Sequence, residues 1–254
     1  MSDPFIVAIC PTFRRPKLIP NVLAMWDAQT YPADRRHLII LDDGGSFESQ
    51  HGSNWELISL LERMPTLGGK FRRLAEHALT MAADIIALWE DDDVYLPWYL
   101  ESHEQALRRG DISQPWAVLS NDKDGWGTSR KVGAQGRFHG SWAFQADCYE
   151  QSDGYPANGV HDFDMRLNGA LRRTGGVVVD TFEGREPGYL YRWQTTGYSN
   201  GSGWGKTMYE STERCHKPER VEGRIVPQFD DETAHYYKEL TDGISSAEVE
   251  RSAG

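Results

Sequence analysis

The chain has 254 residues, room for one large α/β domain or two small ones, and its 39% hydrophobic and 26% charged content excludes a disordered polymer. A net charge of −11 argues against a broad basic face for nucleic acid, and no apolar run of about eighteen residues is present to span a membrane. The start, Met-Ser-Asp-Pro-Phe, lacks the pattern of a signal peptide, and three scattered cysteines (Cys10, Cys148, Cys215) suit a reducing cytosol rather than a disulfide framework or zinc site, so a cytoplasmic location is expected.

Phe5 to Cys10 is a continuous apolar run, the pattern of a strand buried on both faces. Pro11-Thr12-Phe13-Arg14-Arg15-Pro16 breaks it, and Leu18, Val22, Leu23 and Trp26 then follow at helical spacing. His37 to Leu41 predicts a second strand, closing on Asp42-Asp43-Gly44-Gly45, so the segment reads as a βαβ unit in a parallel sheet. Residues 55–64 and 69–82 carry apolar stripes that predict two helices. Ile85 to Trp89 predicts a third strand, which opens into Glu90-Asp91-Asp92-Asp93, and Pro97 suits the first turn of a helix reaching Arg109. Beyond it, 116–120, 141–146, 177–179 and 189–193 predict strands, Lys131-Val-Gly-Ala a hairpin arm, and Asp162 to Arg173 a helix. Residues 194–206 read as a long Gly/Ser loop, a linker or a lid, and 241–254 as a frayed, flexible tail. No internal repeat is evident.

Four adjacent carboxylates at a strand end repel one another unless donors or a cation offset them. Two readings stand: an acidic cap on the helix near Pro97, or a divalent-ion site at the carboxyl edge of a parallel sheet.

Five stretches in order are together familiar: Pro11 to Pro16, Leu41-Asp42-Asp43-Gly44, Gly69-Lys70, Glu90 to Asp93, and His161-Asp162-Phe163-Asp164 after Gly154-Tyr155-Pro156. Over roughly residues 4–195 the chain resembles the family 2-like glycosyltransferases of the GT-A fold. That resemblance implies an α/β fold with a mostly parallel central sheet flanked by helices. It implies one domain over 1–240, with 1–95 as the nucleotide-sugar-binding half and 96–240 as the acceptor-side half. It also implies a hexosyltransferase-like transfer, inverting with retention as the alternative, from a nucleotide-diphosphate sugar, a UDP-sugar being favoured, to an acceptor hydroxyl, with Mn²⁺ or Mg²⁺ as cofactor.

Carried over residue by residue, the resemblance puts Pro11, Thr12, Arg14, Asp42, Asp43, Lys70, Glu90, Asp91 and Arg192 on the nucleotide sugar. Asp92 becomes the metal ligand, with Glu90 or Asp93 as further candidates. Tyr189 stands where many relatives carry a ligating His, so His139, His161 and His216 are the substitutes. Asp162 is the expected general base, although it equally suits a helix N-cap, and Asp164 is the fallback. Arg192 and loop 194–206 are expected to close over the diphosphate. The acceptor is left open among a glycan, a lipid-linked sugar, a protein and a modified DNA base. The rival readings are a non-catalytic nucleotide-sugar or glycan-binding protein and a sugar-nucleotide pyrophosphorylase of the same fold.

Overall fold

A computed structural model describes residues 3–121, 129–157, 162–192 and 220–252, with side chains described as far as residue 242. The elements run β1 (Ile6–Thr12), α1 (Ile19–Asp27), β2 (Arg36–Asp42), β3 (Gln50–His51), β4 (Trp55–Ser59), α2 (Leu67–Thr80), β5 (Ile85–Leu88) and β6 (Val94–Tyr95). They continue through α3 (Tyr99–Leu107), β7 (Ile112–Ser113), β8 (Ala117–Ser120), β9 (Arg130–Gly133), β10 (Ala143–Gln145), α4 (Ala146–Glu150), α5 (Phe163–Arg173), β11 (Val178–Val179), β12 (Tyr189–Tyr191) and α6 (Asp231–Ser252).

The main sheet is eight-stranded, in the order β11-β7-β10-β5-β1-β2-β4-β3. Its centre, β5-β1-β2-β4, is parallel, while β10 enters antiparallel between β5 and β7. Every residue of β1 is buried, as a strand covered on both faces requires. Ile6, Ala8 and Cys10 face one core with Val22, Leu23 and Trp26 of α1. Val7 and Ile9 face the other, with Phe71, Leu74, Ala75 and Ala78 of α2. A second, four-stranded sheet has the order β6-β12-β8-β9. The predicted parallel core is thus present within a mixed sheet.

Three sequence expectations change. Residues 55–64 are not a helix: Trp55–Ser59 is strand β4, parallel to β2. Leu57, Leu60 and Leu61 mimic helical spacing, but Trp55 and Leu57 are buried in alternation with less buried neighbours, and Leu61 is 87% exposed. The acids do not cap α3, because β6 intervenes and α3 begins at Tyr99. Residues 241–252, expected as a frayed tail, continue the backbone of α6. Among the described residues no helix is long and apolar enough to cross a membrane.

Candidate functional site

The chain passes from β1 outward to β2 and β4, then returns through α2 to β5 on the other side of β1. Such a reversal leaves a crevice beyond the carboxyl ends of the strands. Pro11 helps open it. Pairing of β1 with β2 runs to Thr12 and Asp42, whereas pairing with β5 ends at Ile9 and Leu88. The missing N–H of Pro11 therefore falls where β1 has lost one neighbour, the position at which a sheet tolerates proline.

Acids flank this crevice on both sides, with different partners. On the β2 side, Asp42 is wholly committed: Oδ1 accepts from the Gly44 N–H at 3.0 Å, and Oδ2 from the Ser46 N–H at 2.6 Å and the Ser59 hydroxyl at 3.1 Å. Asp43 accepts from the Met64 N–H at 2.9 Å and forms a close ion pair with Lys70. Lys70, 2% exposed, donates also to the Thr12 carbonyl at 2.8 Å. Burial holds its pKa below the ordinary lysine value despite the Asp43 charge. Lys70, expected on the nucleotide sugar, forms a buried tie from α2 to the loops after β1 and β2.

On the β5 side, Asp91 is held by the Thr12 hydroxyl at 2.6 Å and by Arg15 Nη1 at 2.7 Å, and the same nitrogen reaches Asp92 at 2.9 Å. Asp93 immediately precedes β6, and the ladder of β6 with β12 (Tyr189 opposite Tyr95) brings two donors to it. These are the Tyr189 hydroxyl and the Arg192 N–H, the latter at 3.0 Å. What remains is a cluster: one carboxylate oxygen from each of Glu90, Asp92 and Asp93, all within 4.8 Å of one another. Burial, with Asp92 and Asp91 adding to it, pushes Glu90 up to about 8. Burial, then Asp92 and Glu90, raises Asp93 well above the carboxylate range.

The 3₁₀ turn His139–Ser141 closes the cluster from the β10 side. Gly140 permits the approach, since a Cβ there would lie 3.0 Å from Glu90 Cγ. His139 Nδ1 lies 3.3 Å from Glu90 Oε1, and its Nε2 lies 2.8 Å from the Tyr155 hydroxyl. Burial lowers His139 to about 4, so the ring is neutral near neutral pH. It orients Glu90 from outside the three-carboxylate cluster.

The remaining sequence candidates scatter. Arg14 adopts a left-handed φ of 52° and stacks 5.0 Å from the Phe13 ring centroid, so Arg15, not Arg14, turns to the acids. That residue was missed: two adjacent arginines in one loop are equivalent until the backbone turns one away. Arg192, 6% exposed, donates to the Asp92 carbonyl and to Thr233 Oγ1 at 3.4 Å, with Glu232 at 4.0 Å. Its guanidinium thus ties the acid turn to α6. Asp162 precedes α5 but makes no side-chain capping bond, is 55% exposed and pairs with Arg166 at 3.3 Å. Asp164, half-buried in the first turn of α5, contributes to the raised pKa of Glu90. His161, His216 and loop 194–206 lie outside the described residues.

This architecture is the GT-A-like α/β fold of nucleotide-sugar glycosyltransferases. Among solved structures, one similar chain is S. aureus TarS residues 1–349 in complex with UDP-GlcNAc: TM-score 0.58, 11% identity, covering 83% of this chain and 64% of that one. Another is the mannosyltransferase PcManGT from Pyrobaculum calidifontis in complex with GDP-Man and Mn²⁺: TM-score 0.53, 16% identity, covering 94% of this chain and 70% of that one. The chain therefore spans less than two thirds of the TarS chain. No protein-family model matches the sequence, and no curated protein does.

Proposed function

We propose that the protein is a family 2-like glycosyltransferase that moves a sugar from a nucleotide-diphosphate sugar, a UDP-sugar being favoured, to an acceptor hydroxyl with inversion. The observation that carries this reading is the convergence of Glu90, Asp92 and Asp93 at the crevice of a GT-A-like fold. The donor set fits Mn²⁺ or Mg²⁺: hard carboxylate oxygens, closely spaced, whose mutual repulsion and burial leave Glu90 and Asp93 in want of positive charge. Such an ion, when bound, neutralises charge developing on the leaving diphosphate.

The rest of the chemistry falls to the chain. Arg15 holds Asp91 and steadies Asp92, while Tyr189 and the Arg192 N–H fix Asp93. Arg14, beside the crevice, supplies a cation for the diphosphate. The Asp43–Lys70 tie shapes the nucleoside wall. In this reading residues 1–95 hold the donor and 96–240 the acceptor. The base is a carboxylate on the first turn of α5. Asp164 is favoured over Asp162, because its charge is felt by Glu90, His139 and Tyr155 while Asp162 is exposed and engaged by Arg166. It accepts the acceptor's proton as oxygen attacks the anomeric carbon.

The test is a donor panel read by thermal shift with Mn²⁺ and by donor hydrolysis. Wild type gains stability with one nucleotide sugar only when metal is present. Asp164→Asn keeps that shift and loses about 10²–10⁴-fold in transfer, whereas Asp162→Asn loses little. Metal-independent donor binding, or none with any nucleotide sugar, rejects the proposal.

A further inference from the structure

α5 opens beside the acid turn, where Phe163 packs its ring 5.2 Å from that of His139, and Asp164 is the next residue on its first turn. Residues four apart share a helix face, so Asp164, Asn168 and Arg172 form one ridge along α5, running about 12 Å from the acid turn outward. The backbone before His139 tracks the same ridge: a Cβ at Gly136 would lie 3.5 Å from Asn168 Nδ2 and 3.5 Å from Gln114 Oε1. The ridge ends in a cavity of about 270 Å³ lined by Gln114, Trp116, Gln135, Gly136, Arg172 and Val178. That is below the roughly 300–1,000 Å³ of sites that swallow a whole ligand, so it suits one ring of a longer molecule.

Its chemistry is specific. Trp116 is 61% exposed, an indole face of the kind that takes the C–H face of a sugar. Beneath it lies a preset polar floor: Gln114, 1% exposed, donates to Asn168 Oδ1 at 3.1 Å, and Arg172 donates to Asn168 at 3.0 Å and to Gln114 Oε1 at 3.4 Å. Those partners are neutral amides, and among the described residues Arg172 meets no carboxylate. The nearby acid, Asp180, is turned to the chain, accepting the N–H of Trp116 at 2.9 Å and that of Phe182 at 3.3 Å. Exposed Lys131 and Arg137 flank the same segment, and neither is in an ion pair among the described residues. In a chain of net charge −11 this is a local reversal of sign.

Resting on the transferase reading above, we propose that the acceptor is an extended anionic glycan, one ring of which stacks on Trp116 with its carboxylate or phosphodiester on Arg172, while a hydroxyl further along reaches the acid turn. The test is calorimetric titration of full-length protein with three tetramers: oligogalacturonate, a phosphodiester-linked hexose oligomer, and neutral maltotetraose. One anionic tetramer binds, identifying carboxylate or phosphodiester as the recognised group, and maltotetraose binds at least about tenfold more weakly. Trp116→Ala and Arg172→Gln each weaken that binding about tenfold, and the Arg172→Gln protein loses most of the salt dependence. Both variants keep the wild-type Mn²⁺-dependent donor shift. Equal binding of maltotetraose, no binding of any tetramer, or wild-type affinity in both variants overturns the proposal. Tetramer binding in a protein that binds no donor keeps the cavity but overturns its assignment as an acceptor site, which separates this failure from that of the transferase reading.

Discussion

Two strand ends at one sheet edge carry nearly the same sequence signature and meet opposite fates. After β2, Asp42 and Asp43 are almost fully buried, yet their carboxylates are matched by backbone N–H groups, a serine hydroxyl and Lys70. After β5, Glu90, Asp92 and Asp93 converge, and among the described residues one cation, Arg15, together with Tyr189, the Arg192 N–H and a neutral His139, offsets three charges. A carboxylate that already has its donors is architecture. One left short of positive charge is a place for a cation. The distinction lies in the count of donors around each oxygen, and apolar-strand-then-acid patterns do not encode that count.

The comparison breaks most severely at Lys70. Lys70→Met leaves Asp43 charged and buried without its counter-ion, which costs about 3–5 kcal/mol in urea unfolding. A Lys70→Met/Asp43→Leu double variant recovers most of that loss, since a buried pair replaced whole is nearly neutral. An unchanged midpoint in the single variant would place the β2 acids in the same class as the β5 acids. At the other strand end, Asp92→Ala does the reverse. It removes the Mn²⁺- and donor-dependent stabilisation, about 2.7 kcal/mol at a hundredfold excess over Kd, and leaves metal-free stability unchanged or slightly raised.

The pH dependence sharpens the contrast. Glu90 is raised from about 4.5 to about 8, so the folded state holds the extra proton and stability falls as pH rises through that window. His139 is lowered from 6.5 to about 4, so its contribution falls as pH drops below 6.5. The two oppose each other in the acidic part of the range, and above about pH 6.5 the Glu90 contribution is no longer offset by His139. Glu90 therefore costs metal-free protein up to about 2 kcal/mol between pH 6.5 and 8, and Glu90→Gln or added Mn²⁺ reduces that loss in thermal melts. The smallest effect is at Asp162. As an exposed i, i+4 partner of Arg166 without a capping bond, Asp162→Asn shifts stability by about 0.3–0.5 kcal/mol.

The fold was legible because buried parallel strands are continuous apolar runs, and β1, β2 and β5 each end within two residues of where their run ends. β4 was not, because three leucines at helical spacing outweighed a two-residue alternation too short to register. In the site, the acid cluster could be read from its position after β5. The roles of individual side chains could not: the left-handed Arg14 hands the acids to Arg15, and Tyr189 reaches Asp93 only through the ladder of β12 on β6. The cavity at Trp116 had no sequence signature, since its walls come from β7–β8, the turn before His139 and α5, each unremarkable alone.

Arg192 grips the acid turn from below while its far end leans on Thr233 and Glu232 at the start of α6. The last helix is therefore the footing of the crevice rather than an appendage. Cutting the chain before Asp231, or crowding that end with a fused protein, would be felt first as a shift in cation affinity at the opposite end of this lever, before any loss of the fold itself.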